Sequence, residues 1–229
     1  MWRGLSIVKN TAFKFLVFDL DGTLIDSSQD ITASINVALI SGGFPARTRD
    51  EIMSFVGGGV VSLIQSALGN AHTDETFKKV LSRFRAHYQE HLLDQTVLYP
   101  SVKELLEAWP NTKKAVLTNK PQYFSMKILE GLGIAKYFNR VIGGDSDFPR
   151  KPNPSGLIHL METLRCQPSE TLMIGDSVVD IITGQQAETK TCFVTYGYGV
   201  NGNDPKTVGL DADFVIDQFD ALEEIVGVG

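Results

Sequence analysis

The sequence predicts an α/β fold: a doubly wound parallel, Rossmann-like sheet core with an inserted all-helical cap. Three observations carry this expectation. From Pro100 onward, short apolar runs of strand length alternate with segments of helical spacing. One further apolar run, Phe15 to Phe18, stands near the N-terminus. From about Asp26 to Tyr99 only helical patterns occur. The core is therefore assigned to residues 1–25 and 100–229, and the cap to 26–99.

The elements follow in order. Phe15–Phe18, Lys114–Leu117, Thr171–Ile174, Thr191–Val194 and Phe214–Ile216 read as buried strands, with Val141 and Ile142 as another short one. Pro121 to Leu132, Pro154 to Arg165 and Val179 to Ala187 have helical spacing. In the cap, a helix from about Asp30 to Ser41 stops at Gly42-Gly43. Thr48-Arg49-Asp50-Glu51 is a capping-box pattern, in which Thr and Glu satisfy each other's free backbone donors. Val60 to Leu68 follows, then Thr73 to about His91 with Phe77, Val80, Leu81 and Phe84 on one face. Ser101-Val102-Lys103-Glu104 repeats the capping pattern after Pro100.

Composition narrows the function classes. The net charge of -6 gives no footprint for nucleic acid, so a protein of this balance that handles anions must concentrate positive charge locally. No apolar run approaches the roughly 20 residues of a membrane span. Cys166 and Cys192 match no metal-ligand spacing and read as reduced thiols. The expectation is a cytoplasmic protein, monomer or homodimer, with no nucleic-acid or membrane partner.

In a doubly wound sheet the ligand site lies at the carboxyl ends of the strands. There the first strand ends in Asp19-Leu20-Asp21-Gly22-Thr23. Two carboxylates two residues apart crowd negative charge, which suits a hard cation such as Mg²⁺; a plain polar turn is the alternative. Thr118-Asn119 offers a hydroxyl and an amide to a phosphate oxygen, or is a turn pair. Lys151 precedes the rigid Pro152-Asn153-Pro154 and is either a site cation or a solvated lysine. Asp176-Ser177-Val178-Val179-Asp180 places two aspartates four apart, on one side of a starting helix, although Asp176 could instead be a helix cap.

Taken together and in this order, the four segments resemble the haloacid dehalogenase superfamily, in particular its capped phosphatases. Thr118-Asn119-Lys120-Pro121, Ile134 to Phe138, Val141 to Asp145, Lys151 to Pro154 and Gly197-Tyr198-Gly199 are similar to signatures of phosphoglycolate phosphatases. The resemblance implies Asp19 as nucleophile and Asp21 as general acid/base. It implies Thr118, with Asn119, for phosphate binding, and Lys151 to neutralise phosphate and nucleophile. Mg²⁺ would be held by Asp19, Asp176 and the backbone carbonyl of Asp21, with Asp180 as a further ligand or supporting group. Gly22, Thr23 and Ser177 belong to the same motifs as supporting positions.

Gly57-Gly58-Gly59 matches the specificity loop of such enzymes and is also a plausible helix–helix turn. Many phosphoglycolate phosphatases carry an arginine three residues before the valine of this loop, where this chain has Met53. Arg47, Arg49 and Lys120 are candidate substitutes for a carboxylate partner. The expected activity is Mg²⁺-dependent hydrolysis of a small phosphorylated metabolite through a phospho-aspartyl intermediate. A sugar-phosphate mutase and a non-catalytic phospho-metabolite binding protein remain as alternatives.

Overall fold

The computed structural model describes residues 13–71, 73–199 and 211–227. In chain order these form β1 (Phe15–Phe18), β2 (Ile25–Asp26), α1 (Ser28–Ser41), α2 (Arg49–Met53), α3 (Val60–Leu68), α4 (Asp74–His91) and β3 (Val97–Leu98). They continue with α5 (Val102–Ala108), β4 (Lys113–Leu117), α6 (Gln122–Gly131), β5 (Arg140–Ile142), α7 (Ser155–Leu164) and β6 (Thr171–Gly175). The last are α8 (Val178–Gln186), β7 (Lys190–Val194), β8 (Phe214–Ile216) and α9 (Leu222–Val226).

Six strands pair in parallel in the order β5-β4-β1-β6-β7-β8. The chain leaves β1 toward one edge and later crosses back to the other side, so the switch point falls at β1. That opens a crevice at the carboxyl ends of β1, β4 and β6. All four side chains of β1 are fully buried, and successive residues face opposite sides. Phe15 and Val17 pack with Leu157, Leu160 and Met161 of α7. Leu16 and Phe18 belong to a larger core that runs through Leu20 and Leu24 into the cap residues Ile31, Ile35 and Leu39.

The four helices α1–α4 form the cap. Thr48 and Glu51 make the expected reciprocal capping box, the Thr48 amide donating to Glu51 at 2.8 Å and the Glu51 amide to Thr48 Oγ1 at 3.3 Å. Two sequence expectations are corrected. Ser101 has φ 65° and makes no side-chain cap bond, because a left-handed residue points its hydroxyl away from the first-turn amides. The segment from Asp26 to Tyr99 also contains strand: Val97–Leu98 pairs antiparallel with Ile25–Asp26 where the chain enters and leaves the cap. Buried Asp30 fastens that crossing by accepting from the amides of Gln95 and Thr96 and from Thr96 Oγ1, at 2.8–3.0 Å.

Candidate active site

The end of β1 delivers Asp19 to the switch point. Its amide donates to Ile174 of β6 at 2.9 Å, which fixes the carboxylate above the strand ends. The chain then turns tightly at Gly22, with φ +85°. A Cβ there would overlap the Asp176 carboxylate, so glycine is required both for the turn and for the close approach. Asp176 follows β6, and its Oδ2 accepts from the amides of Tyr198 (2.6 Å) and Gly199 (3.1 Å). Thr23 Oγ1 stands 3.5 Å from Asp176 Oδ1. Ser177 rather than Asp176 caps α8, and Asp180 Oδ2 accepts from its amide and hydroxyl at 3.1 and 2.6 Å.

Asp19, Asp176 and Asp180 bring carboxylate oxygens within 4.8 Å of one another. Lys151 Nζ enters the group, 2.5 Å from Asp180 Oδ1 and 2.9 Å from Asp19 Oδ1. Asp19 Oδ1 is buried, and the charge it faces is the Lys151 ammonium. Burial pushes the Asp19 carboxyl up to about 6, against the pull of Lys151 and with the push of Asp180. Burial, then Asp180 and Asp19, push Asp176 up to about 8. Burial opposes the charge on Lys151, yet Asp180 and Asp19 outweigh it and hold the ammonium above its ordinary value. Three buried carboxylates and one lysine leave a surplus of negative charge on oxygen ligands, and this donor set fits a hard divalent cation.

The carboxylate of Asp21 lies outside that cluster. It accepts from Ser27 Oγ at 2.5 Å and from Lys120 Nζ at 3.0 and 3.1 Å. Thr118 Oγ1, at the end of β4, accepts from the Lys120 amide at 3.2 Å. The Asn119 side chain is fully engaged: Nδ2 donates to the carbonyls of Gly57 (2.8 Å) and Lys151 (3.0 Å), and Oδ1 accepts from the Lys151 amide (2.9 Å). It braces the cap loop and the lysine loop together, and only its backbone is left for a ligand.

A cavity opens between these groups and the cap. It is lined by Asp19, Asp21, Thr118, Asn119, Lys120, Asp176 and Ser177 below, and by Ile31, Val56, Gly57, Gly59, Val60, Leu63, Phe84 and Tyr88 above. Gly58 is not among the lining residues.

Sequence reasoning missed Tyr88, Ser27 and the role of Tyr198. Tyr88 accepts from Lys120 Nζ at 2.6 Å. The Tyr198 hydroxyl accepts from the Ser27 amide at 2.6 Å and donates to Asp26 Oδ1 at 2.9 Å. A signal for Tyr88 existed in the four-residue spacing Val80, Phe84, Tyr88, all buried on α4.

A parallel sheet with an Asp-rich crevice beneath a helical cap defines a class of hydrolase. The chain belongs to the haloacid dehalogenase-like hydrolases, whose family model matches residues 16–194. Within that family the site and the relatives make it an enzyme of the phosphatase type. It is 38% identical over 223 residues to a phosphoglycolate phosphatase of Vibrio parahaemolyticus, covering 94% of this chain and 96% of the relative. A Haemophilus influenzae phosphoglycolate phosphatase is 36% identical over 226 residues, covering 95% and 100%. A crystal structure of a predicted phosphoglycolate phosphatase from Haemophilus somnus superposes with TM-score 0.89 at 34% identity, covering 95% and 99%. Among the described residues no helix is long and apolar enough to cross a membrane.

Proposed function

We propose that the protein is a Mg²⁺-dependent phosphatase of small phosphate monoesters, with 2-phosphoglycolate as first candidate. The observation that carries this is the buried cluster of Asp19, Asp176 and Asp180 with Lys151 set between two of its members. The similarity to phosphoglycolate phosphatases supports the substrate. Asp19, Asp176 and the Asp21 carbonyl would hold Mg²⁺, with Asp180 beside them. When bound, the ion supplies positive charge that offsets the repulsion between an anionic nucleophile and a phosphate dianion.

This chain's own groups do the rest. Lys151 and Thr118 hold the phosphoryl oxygens. An Asp19 oxygen attacks phosphorus, the ester P–O bond breaks, and Asp21 gives its proton to the departing alkoxide. Asp21, now ionised, takes a proton from water as that water attacks the aspartyl phosphate, and the P–O bond to Asp19 breaks. The balance is monoester plus water to alcohol plus phosphate, with both aspartates restored.

The cap wall speaks against the mutase alternative. Among the described cap residues that line the cavity, Tyr88 has the only polar side chain. A sugar would bury several hydroxyls there without partners. We take residues 26–99 as the cap unit, hinged at the Ile25–Asp26 and Val97–Leu98 ribbon. The buried free thiols Cys166 and Cys192 are in keeping with a reducing, cytoplasmic setting. The test is phosphate release from a panel of monoesters with Mg²⁺, beside Asp19→Asn. Release that vanishes in the variant supports the assignment, and no release from any monoester sinks it.

A further inference from the structure

Resting on the phosphatase reading above, we propose that Lys120 and Tyr88 form the subsite for a carboxylate on the leaving group, borne by the carbon next to the ester oxygen. Met53 is buried in the cap core and does not line the cavity.

Position is the first argument. Lys120 Nζ is buried between Asp21, at 3.0 Å, and the hydroxyl of Tyr88 from the cap, at 2.6 Å. A general acid meets the ester oxygen at about 2.7 Å, so this ammonium stands within roughly 6 Å of that oxygen. A carboxylate on the adjacent carbon has its own oxygens about 3 Å from the ester oxygen, by ordinary bond lengths and angles. It therefore spans the remaining gap. A phosphate ester of a 2-hydroxy acid fits this reach, and a longer spacer between ester and carboxylate overshoots it.

Charge and donor direction agree. Lys120 Nζ is held by both oxygens of Asp21, at 3.0 and 3.1 Å, and by the Tyr88 hydroxyl at 2.6 Å, which points a buried cation at the cavity. Burial pushes the Tyr88 phenol up to about 12, against the nearby Lys120, so the hydroxyl keeps its proton. Its oxygen already accepts from Lys120, which leaves the O–H to donate to an anion. The ring is held by stacking on Phe84 and by a perpendicular contact with Phe124, both at 5.3 Å between centroids.

The two other candidate cations singled out from the sequence, Arg47 and Arg49, are committed elsewhere. Arg49 donates to Ser28 Oγ at 2.7–2.9 Å, and Arg47 to the Ala67 carbonyl at 2.6 Å. Neither lines the cavity, and among the described residues Lys120 is the one cationic side chain that does. The apolar wall beside it, with Ile31, Leu63 and Phe84, accepts a methylene or short alkyl group.

The test compares kcat/KM for 2-phosphoglycolate with that for its neutral amide, at saturating Mg²⁺. In Lys120→Met the preference for the acid over the amide falls about 100-fold, mainly through KM, and in Tyr88→Phe about 10-fold. Lys120→Arg retains most of the preference. Tyr88→Phe keeps the ring packing and carries the test should Lys120→Met not fold. Equal losses on acid and amide would show that Lys120 serves Asp21 alone and would overturn the subsite. A wild type that hydrolyses other monoesters but does not prefer the acid would overturn it too, while leaving the phosphatase reading intact. No phosphate from any monoester would remove both.

Discussion

Lys151 and Asp180 meet as a sealed ion pair, 2.5 Å from Nζ to Oδ1, with side-chain exposures of 3% and 0%. Ser177 holds the second oxygen of Asp180, so the carboxylate is fixed and in turn aims the ammonium at Asp19. Asp180 thus positions a lysine as well as belonging to the carboxylate cluster. Breaking a buried pair by removing one partner destabilises by about 3–5 kcal/mol. Asp180→Asn should lower stability by that order in urea unfolding and reduce phosphate release about 10–100-fold. Unchanged stability and rate would show that the pair is incidental.

Asp19 and Asp21 should fail differently. If Asp19 is the nucleophile proposed above, Asp19→Asn should abolish both turnover and any acid-stable phosphoenzyme. Asp21→Asn should lower the rate on an alkyl phosphate by about 10²–10⁴-fold. With p-nitrophenyl phosphate, whose leaving group needs no proton, the loss in the first step should be much smaller, and phosphoenzyme should accumulate. Equal defects on both substrates would remove Asp21 from the acid role.

Metal binding should depend on pH with a definite sign. Without a cation, Asp19 and Asp176 titrate at about 6 and about 8, so at neutral pH Asp176 is largely protonated. Binding needs both carboxylates ionised, so Mg²⁺ affinity should rise from pH 6 to pH 8.5 with proton release. Calorimetry in buffers of different ionisation enthalpy measures both. The same shifts bear on stability: a carboxyl whose folded pKa is raised contributes stability below its unfolded pKa, lost as pH climbs through the folded one. Metal-free Asp176→Asn should therefore gain melting temperature relative to wild type as pH rises from 4 to 8.5. A difference that stays flat across that range would show the carboxyl is not strained by its neighbours.

The core was largely legible because strands buried on both faces read as continuous apolar runs, as Phe15 to Phe18 does. Each acidic motif could also be assigned to a strand end. The distances could not. Asp30 meeting Thr96, or Tyr88 meeting Lys120, joins residues far apart in the chain through cap packing that no local pattern encodes. The ribbon of Ile25–Asp26 with Val97–Leu98 has two residues per strand, too few for any periodicity. Ser101 shows the converse failure. Its sequence satisfies the capping pattern, but its left-handed backbone points the hydroxyl elsewhere.

Asn119 gives the sharpest separation between direct contact and bracing. A side chain that binds phosphate keeps a donor free for it, whereas both Nδ2 hydrogens here go to carbonyls of Gly57 and Lys151. The first tie closes the cap loop over the site, and the second, with the Lys151 amide on Oδ1, sets the loop that carries the lysine. Asn119→Ala leaves those buried groups without partners and should destabilise by about 1–3 kcal/mol. It should also lower kcat, because Lys151 loses its aim, and raise KM for every monoester alike, because the cap loop loosens. Asn119→Asp keeps the acceptor for the Lys151 amide but replaces two donors with a charge facing two carbonyls. It should therefore be no better than alanine, although it is the closer isostere. Were Asn119 a direct phosphate ligand, stability would survive the alanine change and only activity would fall. Thermal unfolding and steady-state kinetics on the same three proteins decide between the two.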